Sequence, residues 1–119
     1  MIIEDDPFLR NMYLRKFVNS GFEVEEAENG KIGLRKISTF MPDIILLDIL
    51  MPVMDGFTTL EALKKNPAVN KIPVIMLTNL AQEEDMTEAK EKGASDYIVK
   101  SDNRPNALVD KVNAIIGAG

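Results

Sequence analysis

Residues 44–56 read "IILLDILMPVMDG", an apolar run that leads directly into Asp48 and is followed by a turn. A continuous apolar run of this length is typical of a strand that is covered on both faces. Pro52 and the Asp55-Gly56 pair have the chemistry of a turn that leads into a helix. The stretch therefore predicts a central strand of a parallel sheet, with Asp48 at its carboxyl end.

The rest of the chain alternates between strand and helix patterns. Strands are predicted in "MII", "FEVEEA", "DIILLD", "IPVIMLT" and "SDYIVK". Helices are predicted from Pro7 to Ser20, from Gly30 to just before Pro42, from Gly56 to "NPAVN", in "QEEDMTEAKEKG" and in "NALVDKVNAII". Parallel neighbours need helical crossovers, so we expect an α/β fold, a doubly wound five-stranded parallel sheet with five helices.

Composition narrows the possible functions. The chain has 119 residues, of which 45% are hydrophobic and 28% charged, so we expect one domain over residues 1–119. A net charge of -5 argues against direct nucleic acid binding, which needs a basic surface. The sequence has no His and no Cys, which excludes disulfides, thiol nucleophiles, Ser-His-Asp triads and histidine zinc sites.

The sequence shows neither a membrane-spanning segment nor a secretory signal. The apolar runs are far shorter than the roughly 20 residues that cross a bilayer. No basic segment followed by an apolar one opens the chain, as a secretory signal would. The expectation is a cytoplasmic protein without membrane contact.

Several residues with reactive or ligand-binding side chains come directly after the predicted strands. In doubly wound folds, ligands bind beyond these carboxyl ends of the strands. They are Glu4, Asp5 and Asp6 after the first strand, Asp48 after the third, Thr78 after the fourth and Lys100 after the fifth. Crowded carboxylates repel one another unless a cation neutralises them, and oxygen ligands alone favour Mg²⁺. A hydroxyl and an ammonium at the same edge would suit a phosphoryl group, with Asp48 as its nucleophile.

Four motifs in this order, "IIEDD", "LLDILMPVMDG", "VIMLT" and "GASDYIVK", resemble the receiver domain of two-component response regulators, of the chemotaxis-regulator type. The resemblance covers essentially the whole chain. It implies a flavodoxin-like fold with strand order 2-1-3-4-5. It also implies Asp48 as phosphoacceptor, Thr78 and Lys100 as contacts of the phosphoryl oxygens, and Thr78 with Tyr97 as switch residues.

The same resemblance implies a Mg²⁺ site and a set of partners. Glu4, Asp5, Asp48 and the backbone carbonyl of Leu50 would bind the ion. The phosphoryl donor would be a histidine kinase or a phosphotransfer protein. Phosphorylation would alter the surface formed by helix 4, strand 5 and helix 5, and an unknown output partner or output domain would recognise the altered surface. Phosphorylation could also produce a dimer. The chain would be a phosphoacceptor switch and not an enzyme, and its only reactions would be self-phosphorylation and slow autodephosphorylation.

Two alternatives stay open. A phosphatase with an aspartate nucleophile would need a second acid two residues later, and Leu50 stands there. A pseudo-receiver would bind partners without taking phosphate. It is kept open by Ser101, where receivers usually have proline after the lysine, and by Asn79, which is bulkier than the usual residue after the threonine.

Overall fold

The structure, a computed structural model, describes residues 1–78, 83–100 and 107–117. In chain order its strands and helices are β1 Ile2–Ile3, α1 Pro7–Asn19, β2 Glu26–Ala27, α2 Gly30–Lys36, β3 Ile45–Asp48, α3 Gly56–Lys65, β4 Val74–Thr78, α4 Glu83–Glu91, β5 Asp96–Val99 and α5 Ala107–Ile116. Among the helices of these ranges, none has the length and apolar character that crossing a membrane requires.

All five strands lie in one parallel sheet with the order β2-β1-β3-β4-β5. This confirms the predicted fold class and strand order. β2 is shorter than its alternating pattern predicts, because β1 pairs with it at two positions, Ile2 with Glu26 and Ile3 with Ala27. α2 also ends before the predicted boundary, and the chain continues through turns in which Thr39 and Phe40 donate to the carbonyl of Lys36.

The central strands are buried on both faces. Along β3, Ile45 and Leu47 face one apolar cluster and Leu46 faces the other, and each is at most 2% exposed. The first cluster includes side chains of α2, α3 and α4, and the second includes side chains of α1 and α5. The continuous apolar run before Asp48 is therefore explained by helices on both sides of the sheet.

Close packing of α2 on α3 depends on a glycine. A Cβ atom added to Gly30 would lie 1.9 Å from the Oγ1 atom of Thr59. That hydroxyl donates a hydrogen bond of 2.8 Å to the carbonyl of Asp55, and Thr59 is fully buried. The hydroxyl cannot turn away from a new methyl group without losing this bond.

We therefore expect Gly30→Ala to lower the free energy of unfolding by about 1–3 kcal/mol, the usual cost of overpacking. Urea denaturation measures it. Gly33→Ala is the matched comparison, because its new Cβ would first meet Cδ1 of Ile3, the end of a side chain that can adjust. An equal or larger loss for Gly33→Ala would contradict this account of the α2–α3 contact.

Candidate functional site

Three carboxylates meet at the carboxyl edge of the sheet. In the pairing of β1 with β3, Ile3 lies opposite Leu47, so the next residues, Glu4 and Asp48, come together as the strands end. Carboxylate oxygens of Glu4, Asp5 and Asp48 all lie within 4.8 Å of one another. The parallel register thus produces a group of oxygen ligands from residues 44 positions apart in sequence.

The three carboxylates differ in their access to solvent. Glu4 is 0% exposed and Asp48 is 4% exposed, whereas Asp5 is partly exposed. Glu4 also accepts a hydrogen bond of 3.2 Å from the backbone N–H of Asp6. Asp6 itself caps α1 by accepting from the N–H groups of Phe8 and Leu9, which accounts for its acidic side chain. Asp5 is therefore the carboxylate that an ion from solvent meets first.

Lys100 neutralises part of this negative charge. Its ammonium nitrogen lies 2.5 Å from Oε1 of Glu4 and 3.1 Å from Oδ1 of Asp48, and its side chain is 7% exposed. Its backbone N–H donates to the carbonyl of Thr78 at 2.7 Å, which fixes it at the end of β5 beside β4. Burial lowers the pKa of Lys100, but the hydrogen bond to Glu4 and the charge of Asp48 outweigh this and leave the pKa raised.

The carboxyl of Asp48 titrates far from its ordinary range. Burial, then hydrogen bonding with Glu4 and the charge of Glu4, raise the pKa of Asp48 to about 8, against the opposing effect of Lys100. Burial also raises the pKa of Asp5, but its hydrogen bonds with Asp48 and Glu4 outweigh burial, so the pKa of Asp5 is lowered. The raised pKa of Asp48 favours its protonated form when no cation is bound, and a bound cation would favour the carboxylate instead.

The loop after β3 is held close to Asp48 by a glycine. The N–H of Gly56 donates to the carbonyl of Ile49 at 2.7 Å, and a Cβ atom on Gly56 would lie 2.2 Å from the backbone oxygen of Asp48. Within this loop Val53 has φ of 72°, a left-handed conformation that is unfavourable for a β-branched residue. Leu50 lies on the same loop with its side chain 68% exposed.

A small cavity opens beside Asp48. Its volume is about 150 Å³, and its lining includes Leu50, Phe57, Thr78 and Asp85. Thr78 ends β4 and is 5% exposed. This cavity would place a small group between the carboxylate of Asp48 and the hydroxyl of Thr78.

Tyr97 lies on β5 opposite Met76 of β4. Its partly buried ring packs on the cluster shared with α2, α3 and α4. Asn79 and Ser101 lie outside the described residues. Sequence reasoning did not select Arg10, whose guanidinium contacts the backbone of Glu4 and Asp5. The one feature in the sequence that could have indicated Arg10 is its position, a basic residue one helical turn after Asp6.

The family model for the response regulator receiver domain matches residues 1–113. The chain belongs to this family. The chemotaxis protein CheY of Halobacterium salinarum is 34% identical over 119 residues, which cover 99% of this chain and 96% of that protein. The transcriptional regulator RpaA of Synechocystis is 35% identical over 84% of this chain, and PhoB of Escherichia coli is 34% identical over 98% of it.

Two of these three relatives are much longer than this chain, which spans 42% of RpaA and 50% of PhoB. Solved receiver structures agree with the fold. The chemotaxis protein CheY4 of Vibrio cholerae superposes with a TM-score of 0.90 at 30% identity, covering 96% of this chain and 94% of that one. The receiver domain of a Syntrophus aciditrophicus histidine kinase gives 0.88 at 33% identity, covering 98% and 88%. Membership of the family places the chain in two-component signalling.

The raised pKa of Asp48 predicts how stability depends on pH. A carboxyl whose pKa rises on folding, here from 3.8 to about 8, opposes folding as it ionises. Without divalent cations, the free energy of unfolding should therefore fall as pH rises from about 4 to about 8. Asp48→Asn should remove this slope and stabilise the protein near neutral pH, because asparagine does not ionise.

Urea denaturation across this pH range, with a chelator present, measures the effect. Asp110→Asn, at an exposed position on α5, is the control and should keep the slope of the parent. A parent whose stability rises through this range, or an Asp48→Asn variant with the same slope, would show that Asp48 is not the group responsible.

Proposed function

We propose that this receiver domain is a phosphoacceptor switch, in which Asp48 takes a phosphoryl group from the phosphohistidine of a kinase or phosphotransfer protein. The observation that supports it most directly is the position of Asp48, buried at the end of β3 between two other carboxylates and Lys100. The cavity beside Asp48 supplies room for the incoming group. Asp48 would thus be the acceptor, and Lys100 would supply a fixed positive charge 3.1 Å from it.

In the proposed transfer, a carboxylate oxygen of Asp48 attacks phosphorus and the bond from phosphorus to the donor's histidine nitrogen breaks. The electron pair of that bond returns to the imidazole, and an acyl phosphate forms on Asp48. Lys100 would then contact the phosphoryl oxygens as a point charge, and the hydroxyl of Thr78 would donate to them. Lys100 would give up part of its contact with Glu4 and Asp48 to do so.

The residues present suit Mg²⁺. Three carboxylates within 4.8 Å, without imidazole or thiolate, form the hard oxygen set that this ion prefers. Glu4, Asp5, Asp48 and the carbonyl of Leu50 would bind it, and when bound it would neutralise charge on the transferring group. Asp48 needs to be ionised to attack, so losing its proton when the cation binds would prepare the nucleophile.

The output would leave through the face formed by α4, β5 and α5. Thr78 ends the strand that leads to α4, and Tyr97 lies on β5. A phosphoryl group that draws Thr78 towards Asp48 would make room for the ring of Tyr97 to move inward. An output partner, an output domain or a second copy of the chain would respond to this face. We do not expect this receiver domain to contact nucleic acid, because of its acidic charge.

Acetyl phosphate with Mg²⁺ should phosphorylate the parent protein once, at Asp48, and intact mass spectrometry measures the adduct. Asp48→Asn should take no phosphoryl group. Asp6→Asn is the matched control and should be phosphorylated like the parent, because asparagine caps a helix as well as aspartate does. An adduct on Asp48→Asn would contradict the assignment, and a parent that binds Mg²⁺ but takes no phosphate would be a pseudo-receiver.

The phosphorylated state should be long-lived. Hydrolysis needs a water in line with the new bond, and by resemblance the residue two positions after the phosphoacceptor helps to hold it. Leu50 lines the cavity beside Asp48 and offers no hydrogen bond. We expect Leu50→Asn to lose phosphate several-fold faster, with tenfold corresponding to ~1.4 kcal/mol.

Phosphate release after removal of the donor measures this lifetime. Val53→Asn is the control, because Val53 is on the same loop and is 75% exposed. Asparagine also tolerates the left-handed backbone there. Equal release from Leu50→Asn and Val53→Asn would show that position 50 does not govern the lifetime.

A further inference from the structure

Arg10, on the first turns of α1, bonds to the loop that carries the acidic residues. Its Nη1 atom donates to the backbone carbonyl of Glu4 at 2.8 Å and, more weakly, to that of Asp5 at 3.5 Å. Its Nε atom lies 3.7 Å from a carboxylate oxygen of Glu26 on β2, and its side chain is 17% exposed. One side chain therefore connects β2, α1 and the end of β1.

These contacts occur where the backbone pairing of β1 with its neighbouring strand ends. The last ladder bond at the end of β1 runs from the N–H of Glu4 to the carbonyl of Ala27, at 3.0 Å. Beyond it, no backbone N–H within residues 1–78, 83–100 and 107–117 pairs with the carbonyls of Glu4 and Asp5, and a carbonyl shielded from water requires a donor. The guanidinium of Arg10 supplies that donor.

We propose that Arg10 is a positioning residue for Mg²⁺. By holding the two carbonyls that flank the Cα atom of Asp5, those of Glu4 and Asp5, it fixes the backbone from which the Asp5 carboxylate reaches Asp48. Asp5 is the most solvent-accessible of the three carboxylates, so its position depends on its backbone more than on packing around its side chain. Arg10 thereby removes part of the ordering cost that binding an ion would otherwise carry.

The shape of the guanidinium matters as much as its charge. The Nη1 atom of Arg10 donates to two backbone carbonyls, while its Nε atom faces the carboxylate of Glu26. A lysine has a single ammonium nitrogen, which cannot contact the carbonyls and Glu26 from both positions. Arg10→Lys keeps the positive charge near the site and loses the bridge. A change in Mg²⁺ affinity in this variant therefore reports on loop geometry rather than on net charge.

This inference rests on the proposed Mg²⁺ role, and titration of the phosphate-free protein with Mg²⁺ tests both. We expect Arg10→Lys to raise the dissociation constant about tenfold, the lower end of the range for residues that support metal ligands. Arg15→Lys, at an exposed position of the same helix, is the matched control and should bind like the parent. Glu26→Gln should weaken binding by a smaller factor. The double variant Arg10→Lys with Glu26→Gln should be weaker by less than the product of the two.

A second readout separates positioning from general stabilisation. Without Mg²⁺, hydrogen exchange at the Asp5 and Asp6 amides should speed up in Arg10→Lys, while the amides of β3 and β4 keep the protection of the parent. A role in stability alone would speed up exchange throughout the sheet and leave the affinity of the folded protein unchanged.

The outcomes are distinct. A parent that fails to bind Mg²⁺ would contradict the proposed function. A parent that binds, with Arg10→Lys binding equally well, would overturn the role of Arg10 and leave the proposed function standing. If Arg10→Lys does not fold, Glu26→Gln decides, and an affinity equal to that of the parent would overturn the inference.

Discussion

The charge balance at the end of β3 is the constraint on which the site depends. Glu4 and Asp48 are almost fully buried, and their fixed cation, Lys100, comes from the far end of the chain. Buried charges of one sign are costly unless they are paired, protonated or bound to a cation. Here Glu4 and Asp48 share one ammonium, and burial, together with the remaining excess of negative charge, raises the pKa of Asp48, which favours its protonated form. The same excess makes the site receptive to a divalent ion.

Much of this arrangement could be predicted from the sequence, because parallel α/β sheets bring the ends of their strands to one edge. The apolar runs before Asp48 and Thr78 indicated buried strands, and the chemistry-bearing residues at their ends indicated a site. The fold and strand order were confirmed. The meeting of Glu4, Asp5 and Asp48 followed from the same rule.

Other features depend on distances that no local pattern encodes. Lys100 stays a predicted contact of the phosphoryl oxygens, but the sequence did not show that its ammonium also bonds Glu4 and Asp48. Glu4 stays a predicted ligand of the ion, but the sequence did not show that it is fully buried and bonded to Lys100. Both results depend on the packing of β5 against the rest of the sheet. The contacts of Arg10 were missed for a related reason, since a helical arginine five residues after Asp5 is usually a solvated side chain.

The pairing of Lys100 suggests how binding energy would be divided in this receiver. A lysine that is already bonded to Glu4 and Asp48 would contribute less to phosphoryl binding than a lysine without such bonds. Its new contacts with the phosphoryl oxygens would replace the contacts with these two carboxylates. Mg²⁺ bound to the carboxylates would neutralise them in place of Lys100 and would weaken the hold of Glu4 and Asp48 on the ammonium. Lys100 would then be free to contact the phosphoryl group when Asp48 is ionised. Metal binding would thus prepare the nucleophile and the phosphoryl-binding cation together, since both are held back by the same excess of negative charge.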